Sequence, residues 1–267
     1  MKLIQFISEE NKVCHGVRIG ATNEANLIAG HLFSKFILTE QKVKIKRMFP
    51  PIFPPNILAI GLNYRKHADE TKKSYPKIPV LFIKATNTIA GPEDSIIIPK
   101  VAPNEVDFEA ELAVVIGVPA KNVSKEKAMD CVLGYTCAND VSARRWQKEL
   151  QGGQYSRGKS FDTFCPLGPH LVTKDEIPDP NNLQIKCTLN GKVMQESNTK
   201  DMIFDVPTLI SNLSQSITLL PGTVILTGTP EGVGFARKPQ VFLSEGDTVT
   251  VEIEKIGKLT NSVKKEA

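Results

Sequence analysis

The clearest pattern in the chain is an alternation of apolar and acidic residues within positions 105–117. The apolar members are Val106, Phe108, Ala110 and Leu112, and the acidic members are Asp107, Glu109 and Glu111. Because successive side chains of a strand point to opposite faces, this period of two predicts a β-strand with one acidic face. Residues 113–116 are wholly apolar, which predicts that the strand then enters a core.

Other short apolar runs predict a chain that is rich in strands. The predicted strands cover residues 3–8, 13–19, 57–62, 80–84, 96–99, 133–138, 183–189, 192–195, 224–227 and 248–254. Helices are predicted over residues 125–132 and 143–150, and after Asp205, which can cap a helix with Pro207 in its first turn. Strands and helices do not alternate regularly, so the expected fold class is α+β and mainly β.

A proline-rich segment at residues 49–55 separates the first strands from the rest of the chain. Proline fixes φ and removes a backbone donor, so this segment predicts a stiff connector. We therefore expect a small β-rich N-terminal domain over residues 1–50 and a main domain over residues 56–267. The Lys264–Lys265 pair is expected to lie in a solvated tail.

Composition and charge exclude several classes of function. Hydrophobic residues make up 41% and charged residues 23% of the 267 residues, which is ordinary for a globular protein. A net charge of +4, without a long basic run, does not predict a nucleic-acid partner. No apolar run predicts a membrane span, and acids at positions 9 and 10 argue against a signal peptide. The five cysteines form no C-x-x-C pair, which favours free thiols in a reducing cytoplasm.

The acidic strand face is the first candidate for chemistry. Side chains two apart on a strand lie roughly 6.5–7 Å apart along the backbone, so Glu109 and Glu111 would repel each other near a core. A bound cation would remove this repulsion, whereas a solvated polar face is the alternative interpretation. Asp140 follows the predicted strand 133–138 and could complete the set, although Asp140 or Ser142 could instead cap the next helix. Such an all-oxygen set favours Mg²⁺, with Mn²⁺ or Ca²⁺ as alternatives, over zinc.

A candidate general base lies earlier in the chain. His67 and Glu70 are three residues apart and would share one face of a helical turn, where the carboxylate would orient the imidazole. An exposed polar loop is the alternative. Gln147 and Lys159 are candidates for holding a substrate carboxylate or enolate. The glycine-rich residues 227–234 follow a predicted strand and allow close approach of a ligand, unless they form only a tight turn.

Residues 153–160 match the phosphate-loop pattern G-x-x-x-x-G-K-[ST]. That motif binds phosphate only between a buried strand and a following helix. A helix is predicted before it, and the proline- and glycine-containing residues 161–169 cannot continue as a helix. We therefore do not predict a nucleoside triphosphatase.

Five blocks of the sequence resemble, in order and spacing, those of the fumarylacetoacetate hydrolase family. The blocks are residues 61–64 with His67 and Glu70, residues 107–117, residues 134–144, residues 158–169 and residues 227–234. Residues 164–169 and 237–239 are similar to those of its small "domain-containing protein 2" subgroup. The resemblance implies a mixed, mainly β sandwich-like roll or barrel with a small N-terminal domain, and a homodimer.

The same resemblance implies roles for individual residues. Glu109, Glu111 and Asp140 would bind Mg²⁺ or a similar ion, and His67 and Glu70 would belong to a lid. Gln147 and Lys159 would clamp the substrate, and Thr229 would contribute from the Gly-Thr-Pro loop. Two positions depart from the family: the apolar residues 57–62 lack the fourth carboxylate of the founding hydrolase, and Arg145 replaces an aspartate common among relatives.

These residues predict an enzyme that acts on small 2-oxo or 1,3-dicarbonyl acids through a metal-stabilised enolate. The main expectation is hydrolysis of a C–C bond, as in acylpyruvates, and the alternative is tautomerisation or decarboxylation of oxaloacetate. A metabolite-binding protein without activity on the same fold is a further alternative. The missing fourth carboxylate argues against fumarylacetoacetate itself as the substrate.

Overall fold

The computed structural model describes all residues from Met1 to Ala267 and is built mainly of strands. The strands are β1 Lys2–Ser8, β2 Val13–Arg18, β3 Glu24–Gly30, β4 Phe36–Met48, β5 Ile57–Gly61, β6 Val80–Lys84, β7 Ile89–Ala90, β8 Ile96–Ile98, β9 Val106–Asp107, β10 Ala110–Ile116, β11 Val132–Asn139, β12 Ser142–Ala143, β13 Cys165–Thr173, β14 Gln184–Leu189, β15 Lys192–Asn198, β16 Val224–Leu226, β17 Thr248–Ile253 and β18 Gly257–Lys265. The α-helices are α1 Arg65–Glu70, α2 Arg144–Lys148, α3 Tyr155–Gly158 and α4 Val206–Leu213. Short 3₁₀ turns cover Thr86–Thr88, Lys125–Cys131, Lys174–Glu176, Thr199–Asp201 and Gly234–Ala236. The predicted mainly β fold is confirmed.

Two larger sheets carry most of these strands. The larger has the order β2-β3-β4-β1-β13-β11-β10-β16-β5-β6, with β7 beside β13, and the smaller has the order β15-β14-β17-β18-β8. Strand β2 also pairs with β1, so the first four strands close on themselves. Because β1 also pairs with β13, they continue the larger sheet. The division into domains near residue 50 stays a prediction.

Strand β10 lies in the middle of the molecule, with both faces covered. All seven of its residues are buried. Leu112 and Val114 pack into the large core that also holds side chains of the smaller sheet, whereas Ala113 and Val115 pack into a second core. This placement explains the wholly apolar run and confirms that the strand enters a core.

The predicted continuous strand over residues 105–117 is interrupted at Phe108 and Glu109. The interruption has a side-chain cause. The amide of Glu109 donates to Oδ1 of Asn139 at 3.0 Å, and the amide of Ala110 donates to Oε1 of Gln195 at 2.9 Å. These side chains replace the ladder partners that a regular strand would need.

Several elements differ from the sequence prediction. Strands β3, β4, β13 and β18 were not predicted. The Lys264–Lys265 pair lies at the end of β18, where Lys264 pairs with Ile97, and so it is not in a free tail. The predicted helix over 143–150 is shorter, and the one over 125–132 is 3₁₀. The Asp205 cap is confirmed, because its side chain accepts the amide of Thr208. None of the helices has the length and apolar character that crossing a membrane requires.

Candidate active site

The register of two antiparallel strands brings the predicted metal ligands together. In the β10–β11 pair, Glu111 lies opposite Ala138, and Ala110 lies opposite Asn139. The next residue along the second strand, Asp140, donates its amide to the carbonyl of Glu109 at 2.9 Å. Carboxylate oxygens of Glu109, Glu111 and Asp140 consequently lie within 4.8 Å of one another, and all three residues are buried. The alternative of a solvated acidic face is wrong.

The alternative role of Asp140 or Ser142 as a helix cap is also wrong. Helix α2 begins after Ala143 without a side-chain cap. The Ser142 hydroxyl donates to the carbonyl of Asp140 at 2.9 Å, and the Asp140 carboxylate forms ion pairs with Lys84 and Lys159. The side chain of Asp140 is therefore directed at the charged cluster.

Three buried cations surround the acids. Lys159 donates to Oε2 of Glu109 at 2.7 Å and also to Asp140, and Nη1 of Arg144 lies 2.7 Å from Oε1 of Glu109. Lys84 donates to the other oxygen of Asp140. Burial acts to raise the pKa of Glu109, but the charges of Lys159 and Arg144 outweigh it and hold that pKa well below its usual range.

Glu111 is the acid that these cations leave without a partner. Its carboxylate accepts a hydrogen bond from the amide of Gly228 at 2.6 Å, and it forms no ion pair. Burial raises its pKa well above the usual value, and the neighbouring carboxylates of Asp140 and Glu109 raise it further. Three converging hard oxygen donors, one of which has no cationic partner, fit Mg²⁺, which favours carboxylate ligands.

The predicted histidine–glutamate pair forms on a short helix at the side of this cluster. On α1, Nδ1 of His67 lies 3.2 Å from Oε2 of Glu70. The Glu70 carboxylate also accepts the amide of Gly232 at 3.0 Å, which ties α1 to the glycine-rich residues 227–234. His67 is buried and lines the same cavity as Glu109 and Glu111, so the alternative of an exposed loop is wrong for this residue.

The remaining predicted residues line that cavity as well. Gln147, Lys159 and Thr229 face it together with His67, Glu109 and Glu111. Oε1 of Gln147 accepts from Arg144 at 3.0 Å, and Oγ1 of Thr229 accepts from Gln195 at 2.7 Å. The Gln147 amide nitrogen and the Thr229 hydroxyl hydrogen therefore stay available as donors to a ligand. The structure thus brings all eight predicted site residues around one cavity, with Glu70 and Asp140 behind the lining side chains.

Sequence reasoning missed several residues of this site. Arg144 and Asp107 lie within the sequence motifs but have no predicted role, and Lys84 is predicted only as the end of a strand. Asp107 is fully buried, and its carboxylate accepts a hydrogen bond from Nε of Arg144 at 2.8 Å. It also accepts the amides of Gly234 and Phe235 at 2.8 Å and 2.9 Å. An arginine four residues after Asp140, close to Gln147, was the available signal for Arg144.

The phosphate-loop pattern does not form a phosphate loop. Helix α2 precedes it, and the short helix α3 lies inside the motif itself. The motif lysine, Lys159, is directed at Glu109 and Asp140. At Arg145, the second departure from the family pattern, the exposed guanidinium pairs with Glu105. Arg145 is therefore a surface residue held in an ion pair.

Comparison with known proteins agrees with this arrangement. Residues 56–264 match the family described as "Fumarylacetoacetate (FAA) hydrolase C-terminal". The chain is 53% identical to the Dictyostelium discoideum "Fumarylacetoacetate hydrolase domain-containing protein 2 homolog", over 80% of this chain and 73% of that protein. It is 50% identical to the Xenopus laevis "Oxaloacetate tautomerase fahd2, mitochondrial", over 86% of this chain and 71% of that protein.

A solved structure extends the similarity to the whole chain. The 5-carboxymethyl-2-hydroxymuconate delta-isomerase from Mycobacterium smegmatis superposes with a TM-score of 0.87 at 38% identity, and the alignment covers 100% of both chains. The order of the motifs, the fold and the extent of sequence identity all point to the same family. The chain belongs to the fumarylacetoacetate hydrolase family.

Proposed function

We propose that this protein is an enzyme that interconverts the keto and enol forms of a small 2-oxo acid, with oxaloacetate as the substrate. The observation that carries the proposal is the composition of one cavity. An acidic triad suited to a divalent ion borders it, next to a histidine–glutamate pair and donors for a carboxylate. This combination supports removal of a proton next to a carbonyl group.

Tautomerisation replaces hydrolysis of a C–C bond as the favoured reaction. The residue types fit both reactions, but the Xenopus laevis relative at 50% identity is named an oxaloacetate tautomerase. The similar solved structure from Mycobacterium smegmatis is likewise named an isomerase. Hydrolysis and decarboxylation remain as outcomes that the experiment below can detect.

Glu109, Glu111 and Asp140 would hold the divalent ion, for which Mg²⁺ is our choice. When bound, the ion would supply Lewis-acid polarisation of the keto group. The fit rests on Glu111, whose buried carboxylate faces two other acids and has one backbone donor. Lys159 and Arg144 neutralise Glu109, which keeps the cluster from becoming too negative to bury.

His67 would move the proton. When Nδ1 donates to Glu70, Nε2 carries the free lone pair and can accept a proton from C3 of the substrate. One proton leaves C3 and one is added to the oxygen on C2, so the composition of the substrate does not change. Glu70 would keep the imidazole in this tautomer, because its own position is fixed by the amide of Gly232.

Lys159, Gln147 and Thr229 would position the acid end of the substrate. An ammonium group has three N–H donors, and Lys159 donates two of them to Glu109 and Asp140. The third donor, the Gln147 amide and the Thr229 hydroxyl would then bind the carboxylate. These donors are pre-oriented by buried partners, so little reorganisation is needed on binding.

The test follows oxaloacetate in the presence of Mg²⁺ by three readouts at once. Ultraviolet absorbance reports the enol, CO₂ release reports decarboxylation, and mass reports addition of water. We expect enol–keto exchange well above the uncatalysed rate, loss of that activity with EDTA, and its recovery when Mg²⁺ is added back. Acylpyruvates should not be cleaved at a comparable rate.

The matched variants are His67→Asn and, as a control on the same helix, Lys66→Met. We expect His67→Asn to lower kcat by about 10²-fold, a typical contribution of a general base, while Mg²⁺ still raises the melting temperature. Lys66→Met should behave as wild type, because Lys66 is exposed and pairs only with Glu231. Activity that survives EDTA, or cleavage faster than tautomerisation, would overturn the proposal.

We also propose that the protein is a homodimer in the cytoplasm. Support for the dimer comes from β6 at one edge of the larger sheet, where Leu81 and Ile83 are exposed together with nearby Ile78. Light scattering of the wild type and of Ile83→Glu would test this.

Support for the cytoplasm comes from five free cysteines. The Xenopus laevis relative is named mitochondrial, so cell fractionation is the test.

A further inference from the structure

Two lysines at the mouth of the active-site cavity have no acidic partner. Lys148, at the end of α2, and Lys73, shortly after α1, line the same cavity as His67 and Glu109. Neither forms an ion pair or donates a side-chain hydrogen bond to a protein group. Lys159, which lines the same cavity, pairs with acids instead. The cavity therefore has matched cations at its floor and unmatched cations at its mouth.

The ammonium group of Lys148 lies against a wall formed by Phe235 and Arg144. Its ammonium nitrogen lies 3.7 Å from the centre of the Phe235 ring, and the Arg144 guanidinium lies 4.3 Å from the same ring. Phe235 is held because its amide donates to the buried Asp107, which also binds Arg144. A lysine held on such a wall loses less freedom on binding a ligand than a free surface lysine does.

The charges around Lys148 favour an anion at this place. Partial burial, together with the positive charges of Arg144 and Lys73, lowers its pKa to about 8. No acid pairs with Lys148 or Lys73, so their mutual repulsion is unfavourable in the free protein, although the charges of Glu109 and Asp107 offset part of it. A carboxylate bound between Lys148 and Lys73 would relieve this repulsion.

We propose that Lys148 and Lys73 bind the second carboxylate of the substrate, so that the site selects 2-oxo dicarboxylates over 2-oxo monocarboxylates. This inference rests on the proposed function for the reacting end, where Lys159, Gln147 and Thr229 bind the first carboxylate. The side chains of Phe235 and Arg144 determine where the second carboxylate binds. Specificity for a dicarboxylate then comes from residues that do not touch the reacting atoms.

The test measures binding without turnover. Calorimetry in Mg²⁺ compares N-oxalylglycine, which has two carboxylates, with oxamate, which has one. The proteins are wild type, Lys148→Met, Lys148→Arg and Lys73→Met. The control is Lys192→Met, which changes an exposed lysine at the start of β15 that does not line the cavity.

We expect wild type to bind N-oxalylglycine about tenfold more tightly than oxamate, which is the size of one charge-assisted contact. Lys148→Met should reduce this preference to about twofold, chiefly through N-oxalylglycine, and Lys73→Met should reduce it partly. Lys148→Arg and Lys192→Met should keep it. A preference that survives Lys148→Met, that is lost equally in Lys148→Arg, or that is absent from the wild type overturns the inference.

The proposed function can fail separately. If wild type does not tautomerise oxaloacetate but shows the binding preference, the reaction is wrong and the second carboxylate site stands. If wild type tautomerises oxaloacetate without the preference, the reaction stands and the second site is wrong. KM for oxaloacetate should rise about tenfold in Lys148→Met, while KM for phenylpyruvate, a monocarboxylate, stays within about twofold.

Discussion

Two buried acidic groups on the same short stretch of chain differ in how their charges are matched. Asp107 accepts the guanidinium of Arg144 and the amides of Phe108, Gly234 and Phe235, so both of its oxygens have donors. Glu111, four residues later and equally buried, faces two other carboxylates and accepts one amide. Burial and acidity alone therefore do not distinguish Asp107 from Glu111; the balance of partners does.

The same contrast extends to the cations. Arg144 and Lys159 are held by acids, whereas Lys148 and Lys73 at the mouth of the cavity are not. A buried network in which every group has a partner fixes the fold. At the floor of the cavity the carboxylate of Glu111 has no cationic partner, and at the mouth Lys148 and Lys73 have no acidic partner. The first can therefore bind a cation, and the second can bind an anion.

The largest effect should come from Glu111→Gln, which keeps the shape of the side chain and removes the unmatched charge. We expect turnover to fall about a thousandfold or more, because a metal contributes several kcal/mol to transition-state stabilisation. The rise in melting temperature on adding Mg²⁺ should disappear. The unfolding free energy of the metal-free protein should not fall, since a poorly neutralised buried carboxylate costs stability.

Thermal and urea unfolding with and without Mg²⁺, together with the tautomerase assay, check these outcomes. Glu196→Gln is the control, because Glu196 is an exposed acid on β15 that pairs only with Lys186. A Glu111→Gln protein that keeps its response to Mg²⁺, or that is much less stable than wild type without metal, would contradict the contrast with Asp107.

The reverse pattern is expected for Asp107→Asn. An amide group cannot accept from all the donors around this position, and the Arg144 guanidinium would lose its buried counter-charge. We expect the unfolding free energy to fall by about 3 kcal/mol, the scale for breaking a buried ion pair. The response of the folded fraction to Mg²⁺ should remain, because Asp107 is not part of the triad. Loss of that response at low temperature, where the variant is folded, would place Asp107 among the ligands.

Much of the fold could be predicted because its signals are local. The apolar run 113–116 and the strands predicted over 183–189 and 192–195 follow local periodicity, and they form as predicted. Strand β13 was missed because Pro166 and Pro169 interrupt its pattern, although it pairs with β1, β7 and β11. Strand β4 was missed because its apolar residues do not alternate regularly: Phe36, Ile37 and Leu38 are consecutive, and polar residues fill the next four positions.

The site could be predicted as a set of residues but not as a balance of charges. The spacing of Glu109 and Glu111 showed that they share a face, and Asp107 lies on that face as well. Which acid is neutralised depends on Arg144 and on the Gly234–Ala236 turn, which approach from distant parts of the sequence. The sequence indicates that Arg144 is near the site, but which acid it neutralises is decided by tertiary packing.

The smallest effect concerns the unmatched cation Lys148, whose pKa is lowered to about 8. Below about pH 8 its ammonium is charged and binds the second carboxylate; as the pH rises through that value, the charge and the contact are lost. The charged groups that act on it are Arg144, Lys73, Glu109 and Asp107. We expect KM for oxaloacetate to rise about fivefold between about pH 7.5 and about pH 9.5, while KM for phenylpyruvate changes little.

Lys148→Arg separates this titration from all others in the protein. A guanidinium stays charged throughout that range, so KM for oxaloacetate should remain flat in this variant. The same rise in Lys148→Arg would assign the titration to another group, and the mouth of the cavity would then be an ordinary solvated surface. A KM for oxaloacetate that does not change with pH in Lys148→Arg would show that Lys148 binds the second carboxylate of the substrate. An unpaired charge that binds a ligand is what distinguishes the cavity from the fully paired network around Asp107.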